Sequence, residues 1–173
     1  PPEWDADPSV GLADRDGDGV PDVNDGCPDQ PGPGGCPPIP RVIIEQQRIR
    51  ILEHVYFAAG SARPLPISQV IIDEVARVMA DHPDLTVVGI EGHADRHEGA
   101  AALRLSKARA EAVRRALVRL GVDPNRLAVI ARGATRPIDP VDSARNRRVC
   151  FFVAVRNGEP YGPEAEAIMT GLA

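Results

Sequence analysis

The chain has 173 residues, enough for one ordinary domain of about 100–150 residues plus a smaller module. Apolar residues make up 43% of it but aromatics only 3%, so a core must come from Val, Ile, Leu and Ala, and base-stacking modes of nucleic-acid binding are poorly supplied. The net charge of −5 is unevenly spread, with nine acidic residues against Arg15 alone in residues 1–40, and no run of about 18 apolar residues exists to cross a membrane as a helix.

The opening Pro1-Pro2-Glu3-Trp4 lies inside a proline-rich stretch without signal-peptide character, and is expected to belong to a fragment or mature piece whose upstream anchor or barrel is missing. Residues 14–28 then read Asp14-Arg15-Asp16-Gly17-Asp18-Gly19-Val20-Pro21-Asp22-Val23-Asn24-Asp25-Gly26-Cys27-Pro28. With Asp14 as position 1, carboxylates fall at 1, 3, 5, 9 and 12 and glycine at 6. That is close to the ligand spacing of a calcium loop, in which position 7 offers its backbone carbonyl. The expected calcium ligands are therefore Asp14, Asp16, Asp18, Val20, Asp22 and Asp25. No amphipathic helix flanks the loop, which argues against an EF-hand. The pattern resembles the thrombospondin type 3 calcium repeat, and the resemblance implies a spacer that calcium stiffens by neutralising crowded carboxylates.

Cys27 and Cys36 bracket a Pro/Gly loop that can close as a small disulfide ring, which would place the chain in an oxidising compartment. Cys150 lies in the apolar run Val149-Cys150-Phe151-Phe152-Val153, where a buried, inert thiol is expected.

Composition changes at Pro40: ten of the eighteen prolines precede Arg41. Val42, Ile44, Ile49 and Ile51 alternate, predicting an extended segment or hairpin that leads into a strand around Ile51–Phe57. Ile67, Val70, Ile71, Val75, Val78 and Met79 recur at helical spacing, predicting a helix from about Ile67 to Asp81 that ends at His82-Pro83. A strand is expected over Leu85–Ile90, a helix from Gly99 to Leu120 closed by Gly121, and further strands over Leu127–Ala131 and Arg148–Val155. This β-α-β-α-β-β order predicts an α+β two-layer sandwich, with helices on one face of a mixed sheet. The expected division is an acidic calcium-binding segment and linker over 1–40, a main domain over 41–157 and a tail over 158–173.

Three short motifs carry the functional signal: Gly92-His93-Ala94-Asp95 at a strand end, Leu105-Ser106 followed by Arg109-Ala110 on the second long helix, and Asn146-Arg147-Arg148 before the last strand. Leu105, Arg109, Val113 and Leu117 form an i, i+4 row, so Arg109 interrupts an apolar stripe. Taken alone, that position suits a snorkelling stem or a structural salt bridge. As a constellation, however, the motifs resemble the peptidoglycan-binding OmpA-like C-terminal domain, over roughly residues 49–156. The resemblance implies that Asp95 and Arg109 bind the diaminopimelate of the peptidoglycan stem peptide, Asp95 taking its ammonium and Arg109 gripping its carboxylate through parallel hydrogen bonds. It also points to Arg147 facing the same pocket, with Asn146 shaping the turn.

The match has departures. Ala94 stands where the family has Thr, Ala102 where it has Asn, Asp142-Ser143 where it has Gly-Arg, and the stretch from Asp95 to Arg109 is one residue short. His93, Asp95, His97 and Glu98 are zinc-type donors close in sequence, but no second ligand cluster accompanies them. Nucleophile-elbow, phosphate-loop and Rossmann signatures are missing. The expected function is non-catalytic anchoring to peptidoglycan on the periplasmic side of a Gram-negative outer membrane, without nucleic-acid partners and with calcium in the spacer. The alternative is a calcium-dependent structural or adhesion spacer whose domain has lost wall binding.

Overall fold

A computed structural model of the protein describes residues 13–17, 29, 42–45, 48–51, 53–162 and 164–170. The chain divides into two units, Pro1–Pro40 and Arg41–Ala173. In the first, the amide of Gly17 (φ +75°) donates to Asp14 Oδ1 at 2.8 Å, and exposed Arg15 pairs with Asp29 at 2.8 Å. Of the expected calcium ligands, Asp18, Val20, Asp22 and Asp25 lie outside the described residues, as do Cys27 and Cys36.

The second unit opens with a hairpin of β1 (Val42–Glu45) and β2 (Arg48–Ile51), in antiparallel register from Val42 opposite Ile51 to Glu45 opposite Arg48. The short strand β3 (Val55–Tyr56) follows, and then α1 (Gln69–Asp81), entered through a 3₁₀ turn at Pro66–Ser68. Proline at the start of that turn loses no hydrogen bond there, since the first N–H groups of a helix have no internal partner. The turn is tied down by Ser68, whose buried hydroxyl accepts from the Tyr56 amide at 3.0 Å. Next come β4 (Leu85–Gly92), α2 (Ala102–Arg119), β5 (Leu127–Ala131), the single turn α3 (Ser143–Asn146) and β6 (Arg148–Arg156). The tail adds β7 (Glu159–Pro160) and α4 (Ala165–Met169).

Among the described residues β3, β6, β4 and β5 lie side by side in that order, with β7 also on β6. β4 pairs parallel with β5 and antiparallel with β6, so the sheet is mixed and β4 is interior to it. A parallel neighbour needs a crossover, and α2 supplies it. One face of the sheet meets α1 and α2 in a core of Val55, Phe57, Ile72, Val75, Met79, Val88, Ile90, Val113, Leu117, Val149, Phe151 and Val153, all under a tenth exposed. This is the expected α+β architecture of helices against a mixed sheet, and burial on this scale is its main stabilising term.

Alternation along β4 sends Glu91 to the opposite face, where Arg132 Nε donates to it at 2.9 Å. Arg132 also donates to Glu164 at 2.5 Å, next to α4, so the tail lies over that second face. Its Ala165 is fully buried, and the Tyr161 amide donates to the Ala154 carbonyl.

Candidate functional site

The C-terminal end of β4 is fixed by close backbone approach. A side chain at Gly92 would collide with α2, since an added Cβ would lie 2.0 Å from the Ser106 carbonyl oxygen. The buried Ser106 hydroxyl donates to the Leu103 carbonyl and accepts from the Gly133 amide at 2.9 Å, while the Gly133 carbonyl accepts from Ala94 at 2.8 Å. Strand end, helix and the loop after β5 are thereby locked together immediately before Asp95.

Asp95 is 3% exposed and opens a 3₁₀ turn over Arg96–Ala101. Its Oδ1 accepts from the His97 amide at 2.6 Å, and the Glu98 carboxylate reaches back to accept from the Asp95 amide at 3.1 Å, a reciprocal capping box. Oδ1 is also 2.9 Å from His97 Nδ1, which lies 3.0 Å from Ser143 Oγ. Oδ2 accepts from Arg147 Nη1 at 3.1 Å. Burial pushes the Asp95 carboxyl upward, but the His97 amide and the Arg147 guanidinium outweigh it and hold it below the usual carboxylate range.

Arg109 is fully buried on α2, in the row with Leu105, Val113 and Leu117, and its Cζ sits 5.4 Å from the centre of the Phe57 ring. Nε donates to the Ser61 carbonyl at 2.9 Å. Nη1 donates to the His93 carbonyl at 3.1 Å and to Glu98 Oε2 at 2.7 Å. Nη2 donates to the Ala58 carbonyl at 3.3 Å and to Glu98 Oε1 at 2.5 Å. A guanidinium has five N–H groups, so every one of them is taken. Glu98 Oε1 accepts from the Gly60 amide as well, at 2.9 Å, so its carboxylate has two guanidinium and two backbone donors. Burial raises the Glu98 pKa, and these bonds more than reverse that, leaving it lowered.

The sequence-predicted residues therefore meet, in an arrangement the motifs did not specify. Asp95 and Arg109 are bridged by Glu98 rather than facing each other across an open gap, and the cation on Asp95 is Arg147. Arg148 points away: it is buried, donates to the Arg136 carbonyl at 3.1 Å, and lies on the Glu91 face. Asn146 shapes the preceding loop, its Oδ1 accepting from the Ile138 and Asp139 amides and its Nδ2 donating to the Asp139 carbonyl. Ala94 and Ala102 are both buried. In the sequence Glu98 stands out only as a zinc-type donor, not as the partner of Arg109. Asp95-x-x-Glu98 ahead of an Ala/Leu-rich run is a capping-box signature, and would have identified its backbone partner though not Arg109.

Of the zinc-type donors His93, Asp95, His97 and Glu98, only the Asp95 and His97 side chains meet. His93 is buried with Nε2 2.9 Å from Glu91, Glu98 belongs to Arg109, and no trio of His, Cys, Asp or Glu able to hold a metal occurs among the described residues. Cys150 is a free thiol whose pKa is raised by burial. An apolar groove of about 440 Å³ lies beside Arg147, lined by Tyr56, Phe57, Leu65 and Ile67. A smaller hollow of about 160 Å³ lies by Ala94, Ser143 and Asn146. A larger cavity of about 530 Å³, with Arg63, Arg115 and Arg119 at its walls, involves none of the predicted site residues.

The chain is similar to outer membrane porin F of Pseudomonas aeruginosa, at 32% identity over 80% of this chain; it spans only 39% of that protein's length. Among solved structures, the peptidoglycan-associated lipoprotein of Burkholderia pseudomallei matches at 31% identity and a TM-score of 0.53, over 57% of this chain and 87% of that one. The C-terminal domain of Helicobacter pylori MotB matches at 25% identity and a TM-score of 0.52, over 57% and 81%. Residues 56–149, from β3 to the start of β6 and so including Asp95, Glu98, Arg109 and Arg147, match the OmpA family, and the chain belongs to that family.

Proposed function

We propose that this domain binds peptidoglycan without catalysis and so anchors an outer-membrane component to the cell wall from the periplasmic side. The observation that carries the reading is Asp95: a carboxylate only 3% exposed, held ionised just beyond the end of an interior strand, with Arg147, which also donates to the Phe57 carbonyl, as a side-chain cation. A stem-peptide diamino acid brings an ammonium that can take the place of Arg147 on Asp95, freeing the Arg147 guanidinium to donate to a carbonyl oxygen of the ligand, acid or amide. Arg109 underlies the site and fixes the turn that presents Asp95. Membership in the OmpA family and likeness to a peptidoglycan-associated lipoprotein support the assignment.

The acidic segment is proposed as a thrombospondin type 3-like calcium spacer. The Asp14–Gly17 turn, with Asp14 accepting from an amide three residues on, suits the first ligand position of such a loop, and hard oxygen donors suit calcium. Calorimetric titration of the chain with calcium tests it, and an absence of binding heat would reject it.

The test of wall binding is co-sedimentation with purified diaminopimelate-type peptidoglycan, comparing wild type with Asp95→Ala and Arg147→Ala. Pelleting by wild type that is lost with Asp95→Ala, in a variant that stays folded, is the expected result. Wild type remaining in the supernatant would reject the proposal in favour of a structural spacer.

A further inference from the structure

The two guanidinium N–H groups of Arg109 and the amides of Gly60 and Asp95 all point at one carboxylate. Such a cradle, four donors deep and anchored on a fully buried arginine, is a carboxylate-binding site by construction. In this chain the carboxylate in it is Glu98, whose side chain is itself only 5% exposed.

We infer that Glu98 is the resident occupant of a carboxylate seat on Arg109, and that it sets the ligand specificity of the domain by excluding a free ligand carboxylate from that seat. The choice of a diamino acid as ligand rests on the peptidoglycan reading; the seat itself does not. Three observations carry the inference. Arg109 has no N–H left to offer, so an incoming carboxylate gains nothing unless Glu98 leaves. Glu98 is three residues from Asp95 and tied to its amide, so it competes as an intramolecular ligand at high effective concentration. Glu98 and Arg109 are also buried together, their side chains 5% and 0% exposed, so the carboxylate left for a ligand to meet is Asp95, which favours an ammonium. The wild-type site is therefore one that reads the amine of its ligand and is nearly indifferent to whether the adjacent acid is free or amidated.

The test uses the full chain as wild type, Glu98→Ala and Glu98→Gln, with meso-diaminopimelate, its monoamide and acetate as probes, followed by thermal melting and calorimetry. Glu98→Ala empties the seat. Acetate is expected to raise its Tm by several degrees while leaving wild type unmoved, and diaminopimelate to raise its Tm more than it raises that of wild type, as ligands specific to the folded state do. Diaminopimelate is expected to bind Glu98→Ala at least about tenfold tighter than the monoamide does, against less than about threefold in wild type. Glu98→Gln keeps the side-chain length and two of the four accepted bonds, so it serves where Glu98→Ala fails to fold, and it is expected to show the same acid-over-amide preference in smaller degree. A wild type that already prefers the free acid about tenfold, or variants that no carboxylate stabilises, would overturn the inference. Acetate rescue of Glu98→Ala with no pelleting of either protein on peptidoglycan would support the seat and remove the peptidoglycan reading alone.

Discussion

Gly92 and the Ser106 carbonyl oxygen are in such close approach that a methyl group on Gly92 would stand 2.0 Å from that oxygen and 3.2 Å from the Ala110 side chain. Both obstacles belong to α2, and one is backbone, which cannot rotate aside. Gly92→Ala is therefore expected to force β4 and α2 apart and to cost at least about 1–3 kcal/mol, the usual cost of overpacking. Urea unfolding of wild type and variant measures it; an unchanged midpoint would show that the helix can slide.

Arg109 and Glu98 form a buried ion pair, so removing one member strands the other. Arg109→Met is expected to destabilise by roughly 3–5 kcal/mol, and Arg109→Met with Glu98→Met by less than the sum of the two single changes. A double-mutant cycle in denaturant gives the coupling. Additive effects would mean that the carbonyl contacts to Ser61, His93 and Ala58, rather than the pair, hold this arginine.

Binding should depend on Asp95 far more than on stability grounds alone. Asp95→Asn keeps an acceptor for the His97 amide but loses the charge, and is expected to weaken peptidoglycan binding by about ten- to a hundredfold, the range of one charge-assisted hydrogen bond. Arg147→Ala should weaken it less, because Arg147 also occupies Asp95 in the free protein. Quantified pelleting across a concentration series separates the two, and equal losses would show that the hold of Arg147 on Asp95 in the free protein costs the ligand nothing.

Acid sensitivity should centre on Glu91. Burial pushes its carboxyl up, but His93 and Arg132 outweigh that and bring it down to about 2. A carboxylate depressed in the folded state adds stability above the ordinary Glu pKa of 4.5, and that stability is lost as the pH falls towards about 2. The amount is roughly 3 kcal/mol. Chemical denaturation from pH 7 to pH 3 should show wild type losing stability over this window more steeply than Glu91→Gln; parallel curves would assign the acid loss to other carboxylates.

Regular elements were legible in the sequence where one physical signal dominated. β5 has the expected limits because Leu127–Ala131 is a short apolar strand between turns, and α1 ends where His82-Pro83 requires. β4 runs two residues past the expected Ile90. A charged residue ends an apolar run on paper, but Glu91 faces the second side of the sheet, where Arg132 and His93 receive it. α2 begins at Ala102 rather than Gly99, because the Asp95–Glu98 capping box closes a separate turn and Gly99, at φ 52° and ψ −129°, breaks the helix before it starts. Helical spacing located Arg109 on the buried face. Its partner was not legible, since Glu98 reaches it through a folded loop rather than through a helical repeat. The sequence divides off only a tail over 158–173, and its β7 and α4 owe their place to pairing with β6 and to Glu164 meeting Arg132, contacts distant in sequence.

The interior position of β4 has a mechanical consequence. Under the proposed function the domain tethers a membrane to a stiff polymer and is pulled on through a ligand at Asp95, three residues beyond the end of that strand. Tension along β4 meets β5 on one side and β6 on the other, running roughly parallel to the pull. The ladders are then loaded in shear, with many hydrogen bonds sharing the force at once, whereas a site on an edge strand would let them open one by one like a zipper.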